Sequence, residues 1–306
     1  MSQHFYLTPA AQEGVAAQVR ELATFRSGVL SQKELTGLYK SNPEAAIFHK
    51  AACYITGRLP ISTRAGHKQV KCRGTGWVNA GLTLSPHKEA GNFLVGRHTL
   101  CQWSTKGCRI PCVGTAGRGS MDLSKLSRIA RTLALAYNEE IFVNAVATEI
   151  VAASKLAGKS GLLLAYRTNL ASDLTWLAHD IAQLAKTASP YPITFYDYTK
   201  NQDPFLLGRS LYVTRAHSHH NMKKTERLLP LGLPISVVFD ITKHQPLPTT
   251  WMGSPVIDGV HHDLWFLDAE PYLDADKTVI VGLRLIGSEH KKNIARAGLL
   301  AVQPAC

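Results

Sequence analysis

The sequence predicts an α/β fold, a distorted or partial (β/α) barrel with a helical N-terminal segment, and three observations predict it. From about residue 79 onward, short apolar or β-branched runs alternate with helical stretches. The runs are apolar throughout rather than at every second position, as strands of a parallel sheet covered by helices on both faces must be. Several of them end in polar or charged residues, so functional groups would gather around one mouth at the strands' C-terminal ends.

The N-terminal segment comes first. Residues 11–25 carry Val15, Val19, Leu22 and Ala23 at a spacing that suits one helix face. Two further helices are expected over 31–39 and 42–54. The second has Asn42 as cap, Pro43 at the first helical position and Glu44 in the first turn. From Gly57 to Gly76 the chain is basic (Arg58, Arg64, His67, Lys68, Lys71, Arg73), which suits either a solvated loop or a strip contacting phosphate. Residues 1–76 thus form a helical segment with a basic loop, and 77–306 the barrel-like domain.

Within that domain Gly81–Leu84 is the first expected strand, ending at Ser85-Pro86-His87. Helices over 123–137 and 139–156 lead to the run 161–166, which ends at Arg167, Asn169 and Asp173. A helix over 174–187 precedes 193–196, ending at Asp197, Tyr198, Thr199 and Lys200. The runs 211–214, 235–239, 255–257 and 279–283 end respectively at Arg215 and His217, at Asp240, at Asp258 and at Arg284. Helices between these later strands look thin or missing. A complete eight-fold barrel is therefore not expected.

Composition narrows the functional classes. The chain has 306 residues, 45% of them apolar, which excludes a disordered tail, a collagen-like chain or a disulfide-dense miniature. No run of eighteen apolar residues occurs, so no membrane partner is expected. No basic start leads into an apolar stretch, so no secretory signal is expected and the expected location is cytoplasmic. Lys plus Arg number 34 against 22 Asp plus Glu, a formal charge of +12. That excess favours a polyanionic partner, nucleic acid or a nucleotide.

Chemistry-bearing residues cluster in three places. Cys101, Cys108 and Cys112 fall on one short segment, and in a reducing compartment clustered thiols suit zinc or an iron–sulfur cluster. A fourth ligand position would fall to His87, His98, water or substrate, although three thiols bracing a turn would look the same. The following Gly114-Thr115-Ala116-Gly117-Arg118-Gly119 suits an anion cradle, without the Lys-Ser/Thr ending of a nucleotide-hydrolysing loop. Asp173, Asp197 and Asp258 are candidate acid/base or nucleophilic carboxylates, with helix capping as the competing role. Tyr196 and Tyr198 are expected on opposite faces, one reaching the site and the other packing. Tyr198 therefore joins the catalytic candidates. Arg118, Arg167, Asn169, Lys200, Arg215 and Arg284 are candidate substrate-binding residues, the cations suiting phosphate oxygens.

Segment 101–119 resembles one found in an uncharacterised family of bacteriophages and other mobile elements. Also similar are Tyr166-Arg167-x-Asn169-x3-Asp173-Leu174-x-Trp176 and Phe195-Tyr196-Asp197-Tyr198-Thr199-Lys200. Val238-Phe239, Leu247-Pro248-x2-Trp251-x-Gly253-x2-Val256-Ile257-Asp258-Gly259 and Val281-Gly282-Leu283 complete the resemblance, which spans most of 80–285. It implies a phage-type setting and a set of positions, without a reaction. More remotely, a three-cysteine loop after a first barrel strand is similar to radical-SAM enzymes. That implies a [4Fe–4S] cluster with S-adenosylmethionine bound to it, although the spacing here is not C-x3-C-x2-C.

The expected function is an enzyme modifying nucleic acid or a nucleotide, a transferase or radical-SAM-like protein with metal or cluster at the three cysteines. A base-exchange version would use one Asp at a sugar carbon and a second to move a proton. Two alternatives stand beside it. In the run His217-Ser218-His219-His220, His217 and His219, with Tyr196 or Tyr198, suit a rolling-circle nickase, and His261-His262-Asp263 is a second potential metal cluster. A non-enzymatic DNA-binding protein would need only the basic surface.

Overall fold

The computed structural model describes residues 5–24, 28–63, 71–96, 99–109, 112, 117–201, 203, 212–216, 222–285, 287–297 and 301–302. Three helices open the chain: α1 (Pro9–Thr24), α2 (Gln32–Ser41) and α3 (Pro43–Ile55). Ser31 and Glu34 form a reciprocal capping box on α2, and Asn42 caps α3 through the Ala45 N–H. The basic loop leads into β1 (Trp77–Gly81). That strand lies earlier than the apolar run suggests. Gly81 exchanges hydrogen bonds with Thr63, and the chain then leaves the sheet while Leu82 and Leu84 stay fully buried. Gly81 must be glycine, because a Cβ there would lie 2.5 Å from the Arg167 carbonyl oxygen.

The short α4 (Lys106–Arg109) precedes α5 (Asp122–Tyr137) and α6 (Glu139–Lys159), and then β2 (Leu163–Arg167), α7 (Thr175–Ala188) and β3 (Ile193–Thr199) follow. Next come β4 (Tyr212–Ala216), α8 (Met222–Leu228), β5 (Ile235–Phe239), β6 (Thr250–Trp251) and β7 (Ser254–Asp258). The chain continues through α9 (Trp265–Leu273), β8 (Ile280–Arg284), α10 (Glu289–Ala297) and β9 (Ala301–Val302). Helix α6 is the one helix among the described residues long and apolar enough to cross a membrane, but Phe142, Val143, Val146 and Ile150 are buried in the protein's own core.

The strands follow the order β1-β2-β3-β4-β5-β8-β7-β6, parallel throughout except for the antiparallel β6–β7 pair. The first half of β5 pairs with β4 and its end pairs with β9. The first five strands are thus in barrel order. The circuit then breaks: β8 inserts beside β5, and no described pairing returns to β1. The molecule is a mixed α/β protein, and a full (β/α) barrel is not present among the described residues.

The sheet nevertheless curls. Phe266 of α9 packs on Trp77 of β1 and Tyr196 of β3, both at 5.4 Å between ring centroids, while Trp265 meets Tyr198 at 6.4 Å. Val281 of β8, three positions further along the sheet than β3, and Val279 just before that strand belong to the same core cluster as Trp265 and Phe266. A flat sheet could not bring those strands to one helix, so α9 fills the concave side. The convex side of β1–β3 packs against α5, α6 and α7 in the main core, to which α1 and α3 also contribute. Tyr196 and Tyr198 both face α9, contrary to the expectation of opposite faces, because alternate residues of a strand share a face.

Candidate functional site

The cysteine segment is tied to the sheet by backbone. Asp173 donates its N–H to the Leu100 carbonyl at 2.7 Å and forms an isolated parallel bridge with Cys101. The Asp173 carboxylate accepts the Thr199 hydroxyl at 2.8 Å and the Lys200 N–H at 2.9 Å, both from the end of β3. Burial raises its pKa to about 6, with Asp197 pushing the same way and the bonds from Lys200 and Thr199 opposing. Asp173 is thus a carboxyl that can hold or release a proton near neutrality. Burial lowers the Lys200 ammonium, against the opposing fields of Cys108 and Asp173.

Cys101, Cys108 and Cys112 line one pocket of about 490 Å³, shared with His87, Lys88, Arg109 and Lys125. Cys101 Sγ accepts the His87 N–H at 3.2 Å and donates to the Ala171 carbonyl at 3.5 Å. Burial pushes the Cys101 thiol up to about 12 and raises Cys108, so both are protonated as they stand. Among the described residues, no three His, Cys, Asp or Glu side chains are grouped so as to hold a metal ion. His87 Nδ1 is engaged by the Thr99 hydroxyl at 2.7 Å, and His98 lies outside the described residues. Arg109 braces the loop through Ser104, donating to its hydroxyl at 2.9 Å and its carbonyl at 2.7 Å. Arg128, on the pocket wall, is held by Glu89 at 2.6 and 2.9 Å.

A second polar group adjoins the first through β2 and β3. Asp197 accepts the Asn169 N–H at 3.0 Å and its carboxamide at 2.8 Å, while Asn169 Oδ1 accepts from Ser172 and the Leu174 N–H. Burial raises the Asp197 carboxyl against the pull of Arg167, whose Nε lies 3.6 Å away. The Arg167 guanidinium stacks on the Tyr198 ring at 4.4 Å. Burial alone would lower Arg167, but Asp197, Tyr198 and Asp263 together raise it. The Tyr196 hydroxyl accepts from Asn79 at 2.8 Å, and burial pushes both tyrosines up. Neither is placed as a ready nucleophile. Asn169 and Asp197 brace the loop carrying Asp173.

The structure therefore brings together Asp173, Asp197, Arg167, Asn169, Tyr198, Lys200 and the cysteine segment. Asp258 stands apart from this network in its bonds: it accepts from Arg284 at 2.7 Å and from the Val260 N–H. Burial works against that carboxylate, but Arg284 holds it below its usual value. Arg284 is thereby committed to Asp258 and to the Gln245 carbonyl. Arg118 is exposed on a short turn, and the preceding residues 113–116 lie outside the described residues. For Arg215 only the backbone is described, in β4. His217, His219 and His220 also lie outside the described residues. His262 instead serves α9, accepting the Leu264 N–H at 3.1 Å and facing Asp268 at 3.3 Å.

Several participants were not singled out from sequence. Thr199 stood only among the polar residues ending its strand, with no role until its hydroxyl is seen on Asp173. Asn79 stood only at the point where the strand pattern begins, and Trp265 was not read at all. Asp263 figured only as a metal-cluster member, yet its field reaches Arg167, Tyr196 and Tyr198. Its φ of +64° is a signal that becomes visible only in the backbone.

In comparisons with known proteins, a family model described as gene product 88 matches residues 60–298. No curated protein and no solved structure matches the chain.

Proposed function

The chain belongs to the phage-type gene product 88 family, and from the pocket geometry we propose that it modifies a nucleic acid or nucleotide, gripped by its phosphate. The observation that carries this reading is the meeting of three thiols with Lys88, Arg109 and Lys125 on one pocket wall. Directly connected to that wall is Asp173, whose proton affinity near 6 suits general acid/base work. The cations take phosphate oxygens; Asp173 exchanges a proton with the substrate; Asn169 and Asp197 hold its loop in place. The thiols are the ligands for zinc or a [4Fe–4S] cluster in this reading, with S-adenosylmethionine as the co-substrate of the cluster version. Such binding requires the three sulfurs to draw closer than they stand and to lose their protons.

Anaerobic purification followed by zinc, iron and sulfide analysis tests the thiol assignment. Close to one zinc, or about four irons with four sulfides, is expected per chain, falling in C108A and C112A. Colourless, zinc-free protein with all three thiols titrating as free would refute it.

A further inference from the structure

Four of the chain's five tryptophans pack inside the protein. Trp77 and Trp265 belong to the α9 core, Trp176 lies against the main core, and Trp251 is buried beside β5 and β8. Trp103 is different: it is 47% exposed and joins none of the apolar clusters among the described residues. A single exposed apolar side chain needs no explanation by itself. The placement of this one does. Trp103 sits in the turn closed by the Ser104 N–H on the Cys101 carbonyl at 3.1 Å, and both Cys101 and Ser104 line the 490 Å³ thiol pocket. Successive Cα atoms lie about 3.8 Å apart, so the indole springs from the pocket's rim. Arg109 fastens this turn through its two bonds to Ser104. Met121, 59% exposed, follows another lining residue, Ser120. The pocket's Lys88, Arg109 and Lys125 are exposed, and none has an ion-pair partner among the described residues.

We propose that Trp103 is a stacking platform for an unpaired base of single-stranded nucleic acid, next to the phosphate that these cations hold. The inference deepens the function proposed above and rests on its phosphate grip. Cations take the backbone of any strand, whereas a flat indole takes the face of a base, whatever its sequence. In a duplex the base faces are covered by their stacked neighbours, so an indole at a pocket rim finds none to meet. The partner is therefore a single strand. A lipid surface fits less well, because the cations line a concavity that a flat bilayer does not enter.

The test compares wild type, W103A, W103F and K88A/K125A by anisotropy of a labelled oligothymidylate, a duplex of the same length, and a strand of that length lacking its bases. W103A should bind oligothymidylate about tenfold or more weakly than wild type, while W103F keeps most of the affinity. The salt slope of W103A should stay at the wild-type value, because its phosphate contacts remain, whereas that of K88A/K125A falls. Both W103A and wild type should bind the base-free strand alike, and W103A should keep the wild-type Tm. Undiminished binding of oligothymidylate by W103A overturns the stacking role and leaves the phosphate grip standing. Equal losses on oligothymidylate and on the base-free strand overturn it too, because the ring would then meet backbone. No salt-dependent binding by the wild type removes the phosphate grip and this inference with it. Binding to phosphatidylserine vesicles that W103A abolishes, without any effect on oligothymidylate, would assign the rim to a membrane instead.

Discussion

Replacing Asp173 by Asn tests the buried carboxyl at the junction of the sheet and the cysteine segment. Its pKa is raised from 3.8 to about 6, so the folded state holds the proton more tightly than the unfolded chain does. The sign follows from linkage. Stability from this group is fully present below pH ~3.8, is lost as the pH rises toward ~6, and stays lost above it. At 1.36 kcal/mol per pKa unit, the shift amounts to about 3 kcal/mol between those limits, and about 2 of it falls between pH 4 and 7. Most carboxylates act in the opposite direction, so the wild-type curve alone will not isolate it. Asn cannot ionise and removes this term. It also turns one amide N–H toward a donor, either the Thr199 hydroxyl or the Lys200 N–H, at a pH-independent cost of about 1–3 kcal/mol. Urea unfolding at pH 4, 5, 6 and 7 should therefore show D173N losing ground to wild type at pH 4 and recovering about 2 kcal/mol of it by pH 7. A constant difference across that range would refute the assignment of a near-neutral proton to Asp173.

Three other outcomes follow from the packing. E89A leaves Arg128, whose side chain is 4% exposed, without its carboxylate, and should cost about 3–5 kcal/mol in urea unfolding. G81A drives a Cβ to 2.5 Å from the Arg167 carbonyl and should cost about 1–3 kcal/mol, or more if β1 and β2 must part. In chelator-treated protein, Cys101, its thiol near 12, should resist iodoacetamide at pH 8 and become labelled only in urea, as read by peptide mass spectrometry. Labelling of native Cys101 at the rate of a free thiol would contradict the burial described.

The parts of the fold that were legible were those whose signals are local. Asn42-Pro43-Glu44 announced α3, and the solidly apolar runs at β2, β3, β5 and β8 announced a parallel sheet. The departures are long-range. The insertion of β8 beside β5 depends on strand pairing between distant segments, which no local pattern encodes. Helix α9 was invisible because Leu264-Trp265-Phe266-Leu267 is continuously apolar and Pro271 lies inside it, so no 3.6-residue stripe appears. The first strand was displaced because Leu82 and Leu84 are buried as deeply as strand residues without pairing as one. At the site, acidic and cationic residues at strand ends were legible as candidates. Which of them meet was not: Asp173 reaches Thr199 across twenty-six positions, whereas Asp258 turns to Arg284.

Binding of a labelled single-stranded oligonucleotide across a salt series, comparing wild type with K88A/K125A, tests the central claim most directly. Both lysines are exposed on the thiol pocket's wall. If they neutralise phosphates, the slope of log Kd against log salt should fall by about 1.4, roughly 0.7 for each lysine. An unchanged slope, or no salt-dependent binding by the wild type, would mean that the pocket does not grip phosphate.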